Sequence, residues 1–336
     1  MNAPAQEKAV GLNERLLITG ATGFIGSELT RRALDRGYRV RVLSRRPLGR
    51  SEQAWGKDVE IFHADHIARE EGLPRLLEGL SAVVHLAGRA HVGDEGDPLN
   101  AGQYFETNTV GTVRLALAAA RAGVTKFVFV SSVKVNGRLT APGQAFSEED
   151  GVCPSGAYAL SKWEAERRLW RLSAASGLEV VVVRPPLVYG PGVKANMLAL
   201  VKLVETGIPM PLASIRNTRS YLGVANLADL LLTCLEHPRA AGQTFLASDG
   251  SEFSTPDLVR AISTALHRPS RLLPCPLSLL RVASWAKTGV GAALLDSLLV
   301  DGSKIREVLG WSPPVTAAVG VQEMAAWYLE ARKGVV

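Results

Sequence analysis

The 336-residue sequence lacks any uncharged apolar run as long as the roughly 18 residues that a membrane-spanning helix needs. Its most apolar stretch, residues 276–300, is interrupted by Arg281, Lys287 and Asp296. Residues 1–14 contain acids and bases but no apolar segment of the kind found in a secretory signal. We therefore expect these residues to form a disordered lead-in and the protein to be cytoplasmic, without stable membrane insertion.

Cysteine is scarce and long charged runs are missing. Cys153, Cys234 and Cys275 stand alone with no C-x-x-C pair, which argues against a zinc site or a disulfide framework and is compatible with a reducing compartment. The net charge is +6, yet no run of five or more like charges occurs. The basic balance thus indicates a solvated surface, and we expect no nucleic-acid partner and no metal site.

Nearly continuous runs of Val, Ile and Leu alternate with helical patterns up to Arg184. The runs lie at residues 16–18, 40–43, 61–62, 82–87, 126–130 and 179–183, and the clearest helical patterns cover residues 107–122 and 157–175. Such strands indicate a parallel sheet with helices on both faces. The sequence predicts an α/β fold with a doubly wound parallel sheet over residues 15–184, and a smaller substrate-binding portion over the proline-richer residues 185–336.

A glycine-rich loop follows the first predicted strand and opens a helix. Gly20, Gly23 and Gly26 have the spacing G-x-x-G-x-x-G. Gly20 permits a tight turn, Gly23 lets the backbone approach a pyrophosphate, and Gly26 lets helix and strand pack closely. The helix N-terminus adds N–H donors and a partial positive charge, so the loop predicts a dinucleotide site.

The end of the second predicted strand contains no acidic residue. NAD sites usually place an acid there to bind the ribose 2′-hydroxyl. This segment ends instead in Ser44, Arg45 and Arg46, which suit a 2′-phosphate because guanidinium pairs strongly with phosphate oxygens. We expect an NAD(P) cofactor and favour NADP(H), with a solvated loop that permits NAD as the alternative.

Tyr158 and Lys162 are spaced i, i+4 in a predicted helix, so their side chains share one face. The Lys162 ammonium would favour tyrosinate and lower the pKa of Tyr158, which makes the phenol a proton donor or acceptor for a carbonyl/alcohol pair. Ser131 and Ser132 end the fifth predicted strand, at the edge where open α/β sheets bind ligands. Ser132 could hold a substrate oxygen while Tyr158 exchanges its proton.

Together these motifs resemble the extended short-chain dehydrogenase/reductases, the nucleotide-sugar epimerase/dehydratase/reductase family with an NAD(P)-binding Rossmann fold, over residues 15–328. The resemblance implies that Ser132, Tyr158 and Lys162 are catalytic. It implies cofactor contacts at Gly20, Thr22, Gly23, Phe24, Ile25, Ser44, Arg45, Arg46, Asp65, His66, Leu86, Ala87, Gly88, Asn108, Val130, Tyr158, Lys162, Pro185 and Val188. It implies substrate contacts at Ser132, Lys134, Asn196 and Arg219, with a UDP-sugar as substrate, and a homodimer paired through the Tyr158 helix.

The resemblance leaves several functions open. We favour a 4-ketoreductase of a UDP-4-keto-6-deoxy-N-acetylhexosamine in surface polysaccharide biosynthesis, for example of O-antigen, because an NADP(H) preference suits a reductase. The alternative is a UDP-glucose or UDP-N-acetylglucosamine 4-epimerase, and a non-catalytic dinucleotide-binding protein is a third reading. A 4,6-dehydratase is disfavoured because Val133 and Lys134 stand where its acid pair is needed.

Of two further residues, one is interpreted as structural and the other departs from the family pattern. His85 lies in a predicted buried strand and is expected to be a core histidine rather than a ligand. Asn136 stands where the family usually has a tyrosine.

Overall fold

The computed structural model describes residues 14–45, 49, 55–63, 67, 71–90, 98–280 and 294–334. The expectations for Arg46, Asp65, His66 and the first thirteen residues lie outside the described residues. The strands are β1 (Arg15–Thr19), β2 (Arg39–Ser44), β3 (Val59–His63), β4 (Ala82–His85), β5 (Lys126–Val130), β6 (Glu179–Arg184), β7 (Leu187–Tyr189), β8 (Arg219–Gly223), β9 (Thr244–Leu246) and β10 (Glu252–Phe253).

The helices cover the two faces of the main sheet and build most of the second portion. They are α1 (Phe24–Asp35), α2 (Leu73–Leu77), α3 (Pro98–Tyr104), α4 (Thr112–Arg121), α5 (Gly156–Ser176), α6 (Ala195–Glu205), α7 (Val224–Glu236), α8 (Thr255–Ala265), α9 (Ser303–Leu309) and α10 (Ala317–Arg332). A π-helical turn, Phe105–Gly111, joins α3 to α4. The helix predicted at residues 107–122 is therefore the second half of a longer helical segment.

The main sheet has seven parallel strands in the order β3-β2-β1-β4-β5-β6-β9. Its first six positions follow the strand order of a doubly wound Rossmann fold. Leu16 and Ile18 face the layer that contains α1 and α7, whereas Leu17 faces the layer of α2, α4 and α5. Because both faces are covered, the three central residues of β1 are all apolar. The predicted fold class is confirmed.

The chain returns to the main sheet after the position where the sequence suggested that it leaves. The expectation placed all residues after Arg184 in the second portion, but α7 packs beside α1 and β9 pairs with β6 as the seventh strand. The second portion consists of α6, α8 and α10 with the small sheet β10-β8-β7. Its residues and those of the main sheet therefore interleave along the chain.

A carboxylate joins the two portions. Asp249 accepts hydrogen bonds from the Tyr189 hydroxyl (2.7 Å), the Gly223 amide (2.9 Å) and the Asn226 side chain (2.7 Å). Tyr189 belongs to β7 and Asn226 to α7, so the interaction links the small sheet to a helix of the Rossmann layer. Among the described helices, none is both long and apolar enough to cross a membrane.

Candidate active site

A cavity of about 770 Å³ opens at the carboxyl ends of β1, β4, β5 and β6. This is the edge where open α/β sheets bind ligands. Fifteen of the expected site residues line it: Gly20, Gly23, Phe24, Ile25, Leu86, Gly88, Val130, Ser132, Lys134, Tyr158, Lys162, Pro185, Val188, Asn196 and Arg219. Among the described members of that set, Thr22, Ser44, Arg45, Ala87 and Asn108 do not line the cavity.

The glycine loop fits a dinucleotide pyrophosphate. Gly20 has a φ of +72°, and a Cβ on it would lie 2.9 Å from the Ala87 amide nitrogen. A Cβ on Gly26 would lie 2.1 Å from the Gly20 carbonyl oxygen, so α1 packs directly on the loop. Gly23 precedes α1 and lines the cavity, which brings the N–H groups of the first helical turn to its wall. The backbone can therefore hold the diphosphate of a dinucleotide here.

Tyr158 and Ser132 reach the cavity from different elements. Tyr158 lies in the first turn of α5, and the edge of its ring packs at 6.0 Å between centroids against buried Tyr104. Ser132 follows β5, and its Oγ accepts a 3.3 Å hydrogen bond from the Lys134 amide, which leaves its own proton for a substrate oxygen. The Lys134 ammonium lies 5.4 Å from the centre of the Tyr158 ring. A reacting oxygen between Ser132 and Tyr158 would thus have a hydroxyl and a phenol as partners.

Lys162 forms the floor of the site. Its side chain is buried, and the ammonium donates to the Val130 carbonyl (2.9 Å) and lies 4.6 Å from the centre of the Phe129 ring. Burial lowers the pKa of Lys162 to about 8, and the negative charge of Glu166 partly opposes this shift. The charge state of this lysine is therefore sensitive to its neighbours near neutral pH.

Asn108 acts behind the cavity wall. Its buried Oδ1 accepts from the Arg89 amide (2.8 Å), and its Nδ2 donates to the Arg89 carbonyl (3.0 Å) and to Ser161 Oγ (3.0 Å). A Cβ on Gly88 would lie 3.0 Å from Asn108 Oδ1 and 3.2 Å from Lys162 Nζ. Asn108, which lies in the π-helical turn, therefore holds the loop after β4 close to Lys162.

His85 is a fully buried core residue, as predicted. Thr112 donates to the Asn108 carbonyl (2.6 Å), so its oxygen accepts from His85 Nε2–H at 2.9 Å. Nδ1 is then the acceptor for the Thr19 hydroxyl at 2.6 Å. Burial, together with the charge of Lys162, lowers the pKa of His85 to about 3. The imidazole is neutral and has both nitrogens bonded.

The carboxyl end of β2 lies outside the cavity lining. Ser44 is buried there, whereas Arg45 is exposed. The exposed Arg45 guanidinium is accessible to a 2′-phosphate, but no contact in the structure shows that it binds one. The geometry is compatible with NAD and with NADP.

The part of the cavity lined by Lys194, Asn196 and Arg219 is basic. Asn196 opens α6 and is exposed, and Arg219 donates to the Asp296 carbonyl (2.8 Å). Arg89, Arg138 and Lys194 also line this cavity, although the sequence motifs did not single them out. Basic side chains on the cavity wall suit the diphosphate of a nucleotide sugar. Within the described residues, no group of three or more His, Cys, Asp or Glu side chains is placed to hold a metal ion.

Sequence reasoning also missed a buried network beneath the site. Glu166 and Arg184 form an ion pair with almost no solvent exposure (0% and 5% of their side chains). Asn136, the departure from the family pattern, bonds to Arg184 at 3.0 Å. The available signal was a charged residue, Glu166, one helical turn after Lys162 and therefore on the same face of the helix.

Comparisons with known proteins agree with this geometry. Residues 16–247 match the model of the NAD dependent epimerase/dehydratase family. A UDP-glucose 4-epimerase from Vibrio cholerae is 41% identical over 94% of this chain and 96% of its own length. A UDP-glucose 4-epimerase from Mycolicibacterium smegmatis is 31% identical over 94% of this chain and 98% of its own. The structure of a dTDP-glucose 4,6-dehydratase from Streptomyces venezuelae, solved with NAD, superposes with a TM-score of 0.78 at 26% identity, over 95% and 98% of the two chains.

The match covers the glycine loop, the Tyr158/Lys162 helix and the returning strand β9. A single family match thus includes most of the residues that line the cavity. The chain is an enzyme of the NAD dependent epimerase/dehydratase family.

Proposed function

We propose that the protein is a UDP-hexose 4-epimerase that retains its nicotinamide cofactor. The observation that carries this proposal is that Ser132, Tyr158 and Lys162 line the same cavity as the glycine loop and the basic end around Arg219. Two relatives with more than 30% identity are both named UDP-glucose 4-epimerase. They favour the alternative that the sequence had placed second, and the 4-ketoreductase becomes the second candidate.

The residues divide the chemistry at C4 of the sugar. Tyr158 takes the proton of the C4 hydroxyl and later returns a proton to the same oxygen. Ser132 donates to that oxygen while it has carbonyl character, because its own Oγ is held by the Lys134 amide. The Lys162 charge favours the tyrosinate form of Tyr158. NAD, when bound at the glycine loop, supplies the acceptor and donor of hydride.

The basic end of the cavity orients the nucleotide. Arg219 and Asn196 would hold the UDP diphosphate, while Lys134 stands beside Tyr158 at the sugar end. Holding the UDP portion lets the hexose turn over between hydride removal and return, so both faces of C4 can meet the same cofactor. The cavity that includes both the glycine loop and Arg219 has a volume of about 770 Å³.

A 4-ketoreductase of a UDP-4-keto-6-deoxy-N-acetylhexosamine, acting in surface polysaccharide biosynthesis, is favoured by one observation. The carboxyl end of β2 has no acid to bind a 2′-hydroxyl, and exposed Arg45 is available for the 2′-phosphate of NADP(H). A reductase must exchange its cofactor in every turnover, whereas an epimerase keeps it.

The nucleotide carried by the purified protein discriminates the two candidates. We expect denaturation to release near-stoichiometric NAD, identified by chromatography and mass, and the native protein to interconvert UDP-glucose and UDP-galactose. An empty site that takes up NADPH reversibly, in a protein that does not interconvert UDP-glucose and UDP-galactose, would favour the 4-ketoreductase over the epimerase.

Tyr158→Phe tests the catalytic assignment. Loss of the phenolic proton carrier should lower turnover by roughly 100-fold or more while bound nucleotide is retained. Tyr328→Phe is the matched control, because it removes only the hydroxyl that bonds Glu205 in the second portion. Equal activity of the two variants would remove Tyr158 from the mechanism.

We also propose a homodimer through α4 and α5. These helices pack side by side, and Leu117 of α4, Leu160 of α5 and Val110 of the π-helical turn before α4 are 37–43% exposed. We expect light scattering after size exclusion to give twice the chain mass for the wild-type protein. The double variant Leu117→Glu with Leu160→Glu should give the mass of a monomer. A monomeric wild-type protein would contradict this proposal.

A further inference from the structure

Beneath the catalytic cavity, two buried side chains of opposite charge meet in a bidentate pair. Arg184, the last residue of β6, donates from Nε to Glu166 Oε1 (3.1 Å) and from Nη2 to Glu166 Oε2 (2.5 Å). Its Nη1 donates to Asn136 Oδ1 at 3.0 Å. All three side chains are buried, so the arginine fork is aimed at two partners inside the protein.

The pair is connected to each element that carries a catalytic group. Ser131 Oγ donates to Glu166 Oε1, and Ser131 directly precedes Ser132. Glu166 lies one helical turn after Lys162 on α5. Asn136 ends the turn that contains Lys134, and its Nδ2 donates to the Ser147 carbonyl (3.1 Å). A displacement of the ion pair would therefore be transmitted to Ser132 and Lys162 together.

Stability alone gives little reason for this arrangement. Removing two charges from water is costly, and well-packed apolar residues of similar volume often stabilise a core as well as a buried ion pair does. The same helix also contributes Ala165 and Leu169 to an apolar core cluster. A role in the geometry and charge of the neighbouring site explains why charged residues occupy this position.

The charges near Lys162 come from several elements. On its own helix lie Tyr158 and Glu166; His85 on β4 is neutral, and Arg184 on β6 is paired with Glu166. The Lys134 ammonium approaches the Tyr158 ring from the turn after β5. Glu166 is the neighbour whose negative charge opposes the loss of the Lys162 proton.

We propose that Glu166, Arg184 and Asn136 form a positioning unit that holds Ser132 and the turn after it in place, and that the Glu166 carboxylate within it offsets the Arg184 cation, so that Lys162 keeps its proton beside a buried arginine. The proposal rests on the catalytic roles given above to Ser132, Tyr158 and Lys162. None of the three residues lines the cavity, so they act through the catalytic residues and not on the substrate.

Glu166→Gln tests the charge. The change removes the anion and leaves the Arg184 cation, so Lys162 and Tyr158 should both lose their protons more easily. Both limbs of the pH profile of kcat should move to lower pH by about one unit, while KM for the UDP-sugar stays within about two-fold. Glu164→Gln is the matched control: Glu164 lies on the same helix, pairs with Arg167 and Arg168 at the surface, and should leave the profile unchanged.

The double variant Glu166→Met with Arg184→Met tests positioning and guards against misfolding of the single variant. It removes both charges with little change in volume, and it deletes the bonds to Ser131 and Asn136. We expect a folded protein whose kcat is about ten-fold lower at unchanged KM, with both limbs near their wild-type positions. A wild-type kcat in this variant would overturn the positioning role, and unmoved limbs in Glu166→Gln would overturn the charge-offsetting role of Glu166.

A measurement without turnover separates this proposal from the proposed function. The ionisation of Tyr158 can be followed by ultraviolet absorbance of tyrosinate, as the difference between each protein and its Tyr158→Phe counterpart. If wild-type protein converts no UDP-sugar, the epimerase proposal fails. The proposal of a positioning unit is supported if the Tyr158 titration still moves to lower pH in Glu166→Gln. It is contradicted if that titration matches the one in the Glu164→Gln control.

Discussion

Replacing Gly26 by alanine probes the contact between α1 and the glycine loop. The new Cβ would lie 2.1 Å from the Gly20 carbonyl oxygen and 2.6 Å from the Ala21 Cα, both of which are backbone atoms. Because Cβ atoms essentially never approach other atoms below 3.0 Å, helix and loop must separate by about 1 Å. Overpacking of this kind costs roughly 1–3 kcal/mol of unfolding free energy.

The same displacement moves the first turn of α1 away from the site of the dinucleotide diphosphate. A misplacement of about 1 Å can lower turnover by roughly 100-fold, and we expect NAD to be lost from Gly26→Ala on gel filtration. Urea unfolding, released nucleotide and turnover would be measured beside Gly102→Ala. Gly102 lies in α3 with nothing within 4 Å of a new Cβ, so alanine there should be neutral or slightly stabilising. If the two variants behave alike, the close approach of Gly26 to Gly20 does not constrain the loop.

Two further predictions concern buried titratable groups. The pKa of His85 is lowered from 6.5 to about 3 in the folded protein. Between these two pH values His85 therefore binds a proton in the unfolded chain but not in the folded protein. The unfolding free energy should fall by about 1.4 kcal/mol per pH unit between pH 6 and 4 from this group. His85→Gln should show a shallower acid dependence in urea titrations, and parallel curves would contradict the assignment. Asp249→Ala should cost about 3 kcal/mol by stranding the Tyr189 hydroxyl and the Gly223 amide, whereas exposed Asp257→Ala should cost about 1 kcal/mol or less; equal losses in urea unfolding would refute the linking role of Asp249.

The strands of the main sheet were predictable because their apolar runs are local signals. The β5 run was placed at residues 126–130, where the structure has it, and β6 differs from its prediction by one residue. The run at residues 82–87 ends as a strand at His85, because Leu86 and the following residues leave the sheet to line the cavity. Hydrophobic periodicity reports burial, and burial continues past the last ladder hydrogen bond.

Hydrophobic patterns and motifs did not predict the features that depend on contacts between distant parts of the chain. Nothing in the three residues of β9 says that they complete a sheet begun more than 200 residues earlier. A π-helical turn is a local change of backbone hydrogen bonding within a helix, and the sequence pattern predicted an ordinary helix from residue 107 onward. Motifs placed Ser132, Tyr158 and Lys162 in one cavity, but the Glu166–Arg184 pair depends on contacts between α5 and β6.

The late return of the chain to the main sheet also determines how the protein can be divided. A fragment ending at Arg184 would contain the glycine loop, Tyr158 and Lys162, yet it would expose the open edge of β6 and the apolar surface that α7 covers. Such a fragment should aggregate and should not bind dinucleotide as an autonomous unit. Both walls of the active site therefore depend on residues from both halves of the chain, and neither wall can be exchanged as a module without rebuilding the other.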